Sequence, residues 1–260
     1  MTTETIQRTN TEPWYAGMKN LLKRELLHER SRMYWIQQLV IWALFTNGMV
    51  ALVLSASNFT GEVMEATLVI SLGVFYGMLA LFISIFIPIL LQGTIIDEKA
   101  SGTAAWILSK PVSKKSYILS KLIASTLAII VVSVIINGVI GYVVFGVYGF
   151  ILNIPGYIMT LGLTCVVVIY FISLTIMLGT FTSSRGKVLA GAVGLGVGAQ
   201  IVANYFSLVL FLIPYSLPVL GIGFVIGSPV MGLELILLSA CVQIVVFILI
   251  SLHVFDRTEL

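Results

Sequence analysis

Residues Leu68–Ile96 read "LVISLGVFYGMLALFISIFIPILLQGTII" and the next stretch, Asp97–Lys121, reads "DEKASGTAAWILSKPVSKKSYILSK". The first is an uncharged run longer than the roughly 20 apolar residues that cross a bilayer core of ~30 Å as a helix. The second is an island of charge that ends where another apolar run begins at Ile118. A span, a compact polar connection and a second span are the elementary reading. Both runs exceed what a bilayer needs, so their ends tilt or protrude into water, and Pro88 is placed to kink the first near its polar end.

The rest of the chain extends this pattern. Of 260 residues, 59% are hydrophobic and 10% charged, far from the composition of a soluble domain. Between Ile118 and Ser184 the sole charge is Lys121, and between Val188 and Phe255 it is Glu234, which leaves too little polar surface to face water. Six runs are apolar and long enough, or nearly so: Trp35–Ala56, Leu68–Ile96, Ile118–Val147, Ile158–Phe181, Val188–Ile213 and Leu235–Leu252. They predict an all-α integral membrane protein with six transmembrane helices over residues 35–255. Residues 1–34 precede it as a cytoplasmic amphipathic segment, and 256–260 form a cytoplasmic tail.

Charge sidedness tests that count, because cytoplasmic loops collect Lys and Arg. Six basic residues precede the first run, five lie between Lys99 and Lys121, two are Arg185 and Lys187, and one is Arg257; together they are all 14 in the chain. The intervening loops carry Glu62, Glu65 and Glu234 instead. Both termini are therefore expected inside a multi-pass protein of the cell membrane. The N-terminus lacks the short apolar core of a removable signal peptide and is expected to stay.

Before the last run, "IPYSLPVLGIGFVIGSPV" is apolar enough for lipid, but Pro214, Pro218 and Pro229 cut it into pieces too short to cross. It reads as a re-entrant extracytoplasmic hairpin over 214–232, packed against protein. At the other end, "PWYAGMKNLLKRELLHERSRMYW" places Trp14, Met18, Leu21, Leu22 and Leu26 roughly on one helical face. A basic helix on the inner leaflet and an ordinary solvated helix both fit, since Glu25 and Glu29 intrude on the apolar side. Trp14, Trp35 and Trp42 suit an interfacial belt.

Several patterns carry no catalytic chemistry. "FTSSRGKV" lacks the first glycine and the final Ser or Thr of a phosphate-binding loop, and Arg185 and Lys187 are expected to meet anionic headgroups instead. "GAVGLGVGAQ" follows no strand, so it is no dinucleotide fingerprint; its Gly194 and Gly198, like Gly73 and Gly77, are spaced for close helix packing, first of all within the subunit. Cys165 and Cys241 sit in apolar runs as buried thiols, and no His, Cys and carboxylate grouping suggests a metal. Asn47, Asn137, Gln200 and Asn204 are candidate interhelical hydrogen-bonding groups. With no ionisable residue at mid-depth, a proton- or sodium-coupled path has no support.

Within the island, Asp97 and Glu98 suit the start of a helix, Gly102 permits a break, and "TAAWIL", Thr103–Leu108, forms a short helix that Pro111 stops. Ser113 is placed to cap the next helix, whose first turns carry Lys114, Lys115 and Lys121. The short helix displays Trp106, Ile107 and Leu108 and needs either a protein groove or the headgroup region to cover them.

The ordered pattern Glu98, Gly102-Thr103, Leu108-Ser109, Pro111-Val112-Ser113, Tyr117 and Lys121 resembles the cytoplasmic signature of permease subunits of type-2 ATP-binding-cassette (ABC-2) transporters, mostly bacterial or archaeal exporters. The six-run layout, the N-terminal helix and the broken hairpin extend that resemblance over most of the chain. It implies that the 97–117 loop carries a coupling helix docking into a separate ATPase, with Glu98, Gly102, Thr103, Leu108, Ser109, Pro111, Val112 and Ser113 at or beside the contact and Lys121 bracing the return to the membrane. It further implies a second permease copy, two ATPase subunits that hold ATP and Mg, no cofactor in this chain, and an outer gate at Pro214, Pro218 and Pro229. "AAWI" departs from the leucine-rich run common in the family. The expected function is an ATP-driven export permease with lipid and protein partners and no nucleic acid. An intramembrane enzyme acting on lipid-like substrates, or a non-transporting sensor or resistance module, are the alternatives.

Overall fold

The computed structural model describes residues 13–31, 37, 40–60, 64–203, 205–206, 213–228 and 230–258. Every regular element among them is helical. Helix α1, Met18–Ser31, follows a turn over 13–17. A π-helical turn, Ala43–Asn47, leads into α2, Gly48–Thr60. Helix α3, Met64–Leu91, contains Pro88 one turn before it breaks. The short helices α4, Ile96–Ala100, and α5, Thr103–Leu108, come next. Helix α6, Lys114–Ile129, continues through a π segment, Ile130–Ile136, into α7, Asn137–Val147. Helices α8, Ile154–Phe181, and α9, Arg185–Ala203, precede a 3-10 turn, Pro214–Ser216, and two short pieces, α10, Leu217–Leu220, and α11, Ile222–Ile226. The last helix is α12, Leu233–Arg257.

Among the described residues four helical stretches are long and apolar enough to cross a membrane: Met64–Ala100, Lys114–Val147, Ile154–Phe181 and Leu233–Arg257. The first predicted span appears as the shorter apolar helix Val40–Ala56 and the fifth as α9, 19 residues long. Trp35, Glu62, Asn204 and Pro229 lie outside the described residues.

Helix α8 is the central post. Seven consecutive residues, Tyr170–Ile176, are all buried, so two turns are covered on every side. Several of its threonine hydroxyls are satisfied at depth by reaching back one turn, as Thr164 Oγ1 does to Thr160 O (2.9 Å) and Thr175 Oγ1 to Phe171 O (2.6 Å), while the buried Ser173 hydroxyl meets no partner among the described residues. Helix α12 is the opposite case: Leu235, Leu238, Val242, Val245 and Leu249 are exposed on an apolar helix, a face suited to lipid or to another chain.

Three expectations about packing are corrected here. Trp42 is buried against Phe82 and Phe86, with ring centroids 5.9 and 6.1 Å away, so it belongs to the core and not to an interfacial belt. A methyl group added at Gly73, Gly77, Gly194 or Gly198 would meet nothing within 4 Å among the described residues, so neither pair forms a close helix contact with them. The close approaches fall elsewhere: at Gly196 against Ser84 and Phe171, and at Gly141 against Phe75 and Asn47. Cys241 is exposed on α12, while Cys165 is half-buried. Separately, Arg185 pairs with a carboxylate of the island, as described below. Of the polar residues expected inside, Asn47 donates through Nδ2 to Asn137 Oδ1, joining the π turn before α2 to the start of α7.

Candidate functional site

Three consecutive charges of the island project at about 100° from one another because Asp97, Glu98 and Lys99 all lie in α4. Each meets a different part of the bundle. Asp97 Oδ1 accepts from Arg185 Nε at 2.6 Å, at the first residue of α9. Glu98 Oε1 accepts from Lys121 Nζ at 2.8 Å and Glu98 Oε2 from Tyr117 Oη at 2.5 Å, both on α6. Lys99 Nζ donates to Thr180 O at 3.1 Å, near the end of α8, and stands 5.4 Å from the ring centroid of Phe255 on α12. A five-residue helix thus fastens four long helices at one end of the bundle. A cation at the carboxyl end of a helix, as Lys99 is for α8, is the favourable sign for the helix dipole.

Lys121 is 2% exposed and holds a second carboxylate, Glu25 Oε1 of α1, at 3.2 Å. Arg24 Nη2 approaches Glu98 Oε1 at 3.9 Å from the wetter side. A buried ammonium needs partners of opposite charge and good geometry, and α1 supplies one. This explains the acidic residue that looked misplaced in the sequence: Leu21 and Glu25 form the inward face of α1, and the carboxylate there is an ion-pair partner.

The turn before α1 is tied to the same place by its backbone. Ser113 Oγ and Ser116 Oγ both donate to Trp14 O, the second at 3.0 Å, and Ser113 N donates to Ala16 O at 3.3 Å. Ser113 also caps α6, accepting from Ser116 N at 3.0 Å. Gly17, at φ 73°, faces Val112 so closely that a methyl group would stand 2.6 Å from Val112 Cγ2. Gly17→Ala is therefore expected to free the 13–17 turn, through about 1–2 kcal/mol of left-handed backbone strain plus the collision. Val112→Ala in the same chain should restore the steric share alone, and limited proteolysis at the turn reads both effects.

Helix α5 sits beyond this anchor. Gly102, left-handed at φ 72°, reverses the chain between α4 and α5. Ala104 and Ile107 turn inward, Ile107 at 3% exposure, and Leu108 is half-buried against the core. The expected display of Trp106, Ile107 and Leu108 is thus corrected: an i, i+3 pair faces the bundle and Trp106, 61% exposed, faces out. Lys110 Nζ lies 3.6 Å from the Trp106 ring centroid, an exposed cation–π pair. Ser109 and Pro111 are exposed, Thr103, Val112 and Ser113 half-buried. Further along, Lys114 Nζ donates to Asp256 O (2.8 Å) and Thr258 O (2.9 Å) at the end of α12, and Tyr117 stacks on Phe255 at 5.1 Å.

The structure therefore gathers Glu98 and Lys121 into one cluster, places Gly102, Thr103, Leu108, Ser109, Pro111, Val112 and Ser113 around it, and adds Glu25, Arg185, Lys114 and Phe255. Of the added residues, the carboxylate on the apolar face of α1 was the one with a visible sequence signal.

At the opposite end of α8 the broken segment packs closely. Thr160 Oγ1 donates to Gly221 O (2.7 Å), Asn153 Nδ2 donates to Phe224 O (3.3 Å), and Pro214, Leu217 and Pro218 are buried. Pro214–Ile226 is a short apolar stretch in three helical pieces.

A comparison with protein families matches residues 20–260 to the ABC-2 family transporter proteins. The chain belongs to that family. Among curated proteins no relative matches. Membership makes this an ABC-2 transport protein of the membrane, and the 97–121 cluster, α1 from Asn20 onward and the broken segment all lie within the matched residues. The turn at Trp14 lies before them.

Proposed function

We propose that this chain is the permease subunit of an ATP-driven exporter and that α5 is the surface through which a separate ATPase moves it. One observation carries the reading: Asp97, Glu98 and Lys99 fasten α6, α8, α9 and α12 together, while the next helix turns Trp106 outward. A force applied to Trp106 would pass through the short turn at Gly102 into α4 and reach four long helices through hydrogen bonds, ion pairs and the Lys99–Phe255 cation–π contact. The basic end is the cytoplasmic one, by the distribution of Lys and Arg, which puts both termini inside and gives six crossings.

In this reading the pathway forms between two copies of the chain, two ATPases bind ATP and Mg, and the Pro214–Ile226 segment is the outer gate. The broken segment packs on the first turns of α8 through Gly221 and Phe224, and Lys99 holds the far end of the same helix, so one helix links lever and gate. ATP does work because it binds one arrangement of the complex better than the other.

Trp106→Asp tests the proposal. Buried interface tryptophans commonly contribute 2 kcal/mol or more, so the variant should lose an ATPase that wild type retains through purification in mild detergent, at least about thirtyfold in retained amount. Wild type purified from its native membrane with no ATPase would overturn the reading.

A further inference from the structure

We infer that α2 and α7 swing as one arm about two neighbouring π-helical turns, with the Asn47–Asn137 amide pair as the pin between them. The inference goes beyond the transport reading and needs nothing from it. The π turn Ala43–Asn47 interrupts the helix Val40–Ala56, and the π segment Ile130–Ile136 interrupts the helix Lys114–Val147. Such wide winding is rare, gathers at functional sites and is one of the few places where a helix bends sharply. Each π stretch ends at an asparagine: Asn47 is the last residue of the first, and Asn137 follows the second. The two amides are bonded to each other, so the points at which these helices bend lie side by side.

The chain is held differently on the two sides of this level. Toward the charge cluster, α6 is buried at Tyr117, Ile118, Ser120 and Lys121 and fastened by the Lys121 ion pairs. Trp42, before the first π turn, is fixed between Phe82 and Phe86. Beyond the π segment, α7 exposes Val139, Val143 and Val147 and buries Gly138, Gly141 and Phe145. Two of those three buried positions are bare backbone, set against Leu161 and Phe75, with no side chain to interlock. A second tie, between the Ser55 and Tyr148 hydroxyls at 2.6 Å, joins α2 to the end of α7 further from the cluster. Bonded at both levels, α2 and α7 form one piece that π turns connect to fixed stems.

The pin itself is half made. Each primary amide offers an acceptor and two donors, so a facing pair is able to form two reciprocal hydrogen bonds. Here one is formed, and Asn47 Oδ1 and Asn137 Nδ2, both buried, have no partner among the described residues. Thr46 Oγ1 beside them has none either. Buried polar atoms without partners are few in folded proteins and call for an explanation. A spare acceptor and a spare donor on one amide pair supply it: a small rotation of one helix against the other closes the second bond, which defines a second position of the arm.

Spin labels measure the arm in the full chain in lipid nanodiscs. The chain carries Cys165→Ser and Cys241→Ser and is diluted with unlabelled chain, so that distances within one molecule are read. Leu238→Cys on α12 is the reference, paired in turn with Ala56→Cys and Val147→Cys on the arm and with Leu127→Cys on the stem, all at exposed positions. A bend of ~20° at the π segment swings the end of α7, 11 residues and about 16 Å long, by roughly 5 Å. Both arm labels should show two distances separated by a few ångströms and present in equal proportions, and the stem label should show one. Asn137→Leu with Ser55→Ala should make the proportions at Ala56 and Val147 unequal, and deletion of Val131, an exposed residue of the π segment, should leave Val147 a single distance. A single distance from every label would overturn the hinge, as would two distances at Leu127, which would assign the motion to the whole helix. Unequal proportions at the two arm labels in the unsubstituted chain would overturn the single arm, and two distances at Val147 that survive the deletion would overturn the part given to the π segment. The comparison of arm and stem in the unsubstituted chain decides the proposal even where a variant fails to fold.

Discussion

Lys121→Met is expected to cost about 3–5 kcal/mol of stability, the usual penalty for breaking a buried ion pair from one side. The variant leaves Glu25, buried, and Glu98, one-fifth exposed at its side chain, facing each other with no cation between them. Arg24, at 3.9 Å and largely in water, is too distant and too hydrated to replace it. Adding Glu25→Gln and Glu98→Gln to Lys121→Met should recover most of the loss, because neutral groups of similar shape carry no unpaired charge. Thermal unfolding in detergent measures the series, and protease access to α1 shows where the damage lies. A single Lys121→Met variant as stable as wild type would mean that the cluster contributes nothing to anchoring α1 and α4.

The second large effect is expected at the other end of α8. A methyl group at Gly156 would collide with the carbonyl of Phe224 and approach Val225 N, both backbone atoms that cannot swing aside. Gly156→Ala should therefore lift α11 from α8, at about 1–3 kcal/mol for overpacking alone, and strip Thr160 and Asn153 of their partners at Gly221 and Phe224. Gly162 is the internal control on the same helix, since a methyl group there meets nothing within 4 Å. Gly162→Ala should be neutral or gain about 0.5–1 kcal/mol from the better helix former. Equal behaviour of the two variants would show that the broken segment does not rest on α8. If the segment is the outer gate, Gly156→Ala also leaves it open to water, readable as quickened amide exchange over 214–226.

Much of this arrangement was legible in the sequence, for identifiable reasons. Local signals act over a turn or two, so Gly102, Thr103–Leu108 and the cap at Ser113 could be read from residue types alone, and the structure has a left-handed Gly102, a helix over those residues and a capping bond at Ser113. Long apolar runs between charge islands gave the membrane class. Facing could not be read for a six-residue helix, which is why Ile107 was expected outside although it packs inside with Ala104. Pairings across 88 or 96 positions, Asp97 with Arg185 and Glu25 with Lys121, leave no periodic trace. Glycine spacing misled for a related reason: Gly73, Gly77, Gly194 and Gly198 have the pattern for close packing, but contact needs a partner opposite, and within this chain the partners stand opposite Gly141, Gly156 and Gly196.

We propose that α5 presents Trp106 to an ATPase while Ala104 and Ile107 hold the helix to the bundle. A photo-crosslinking amino acid placed in turn at 104, 105, 106, 107, 109 and 110 and illuminated in native membranes tests it most directly. Strong adducts with a protein of ATPase identity are expected from 105, 106, 109 and 110, and little from 104 and 107, the two of these positions that are buried. Adducts with lipid alone, or a yield that ignores which side of the helix carries the probe, would contradict it and return the island to the headgroup layer.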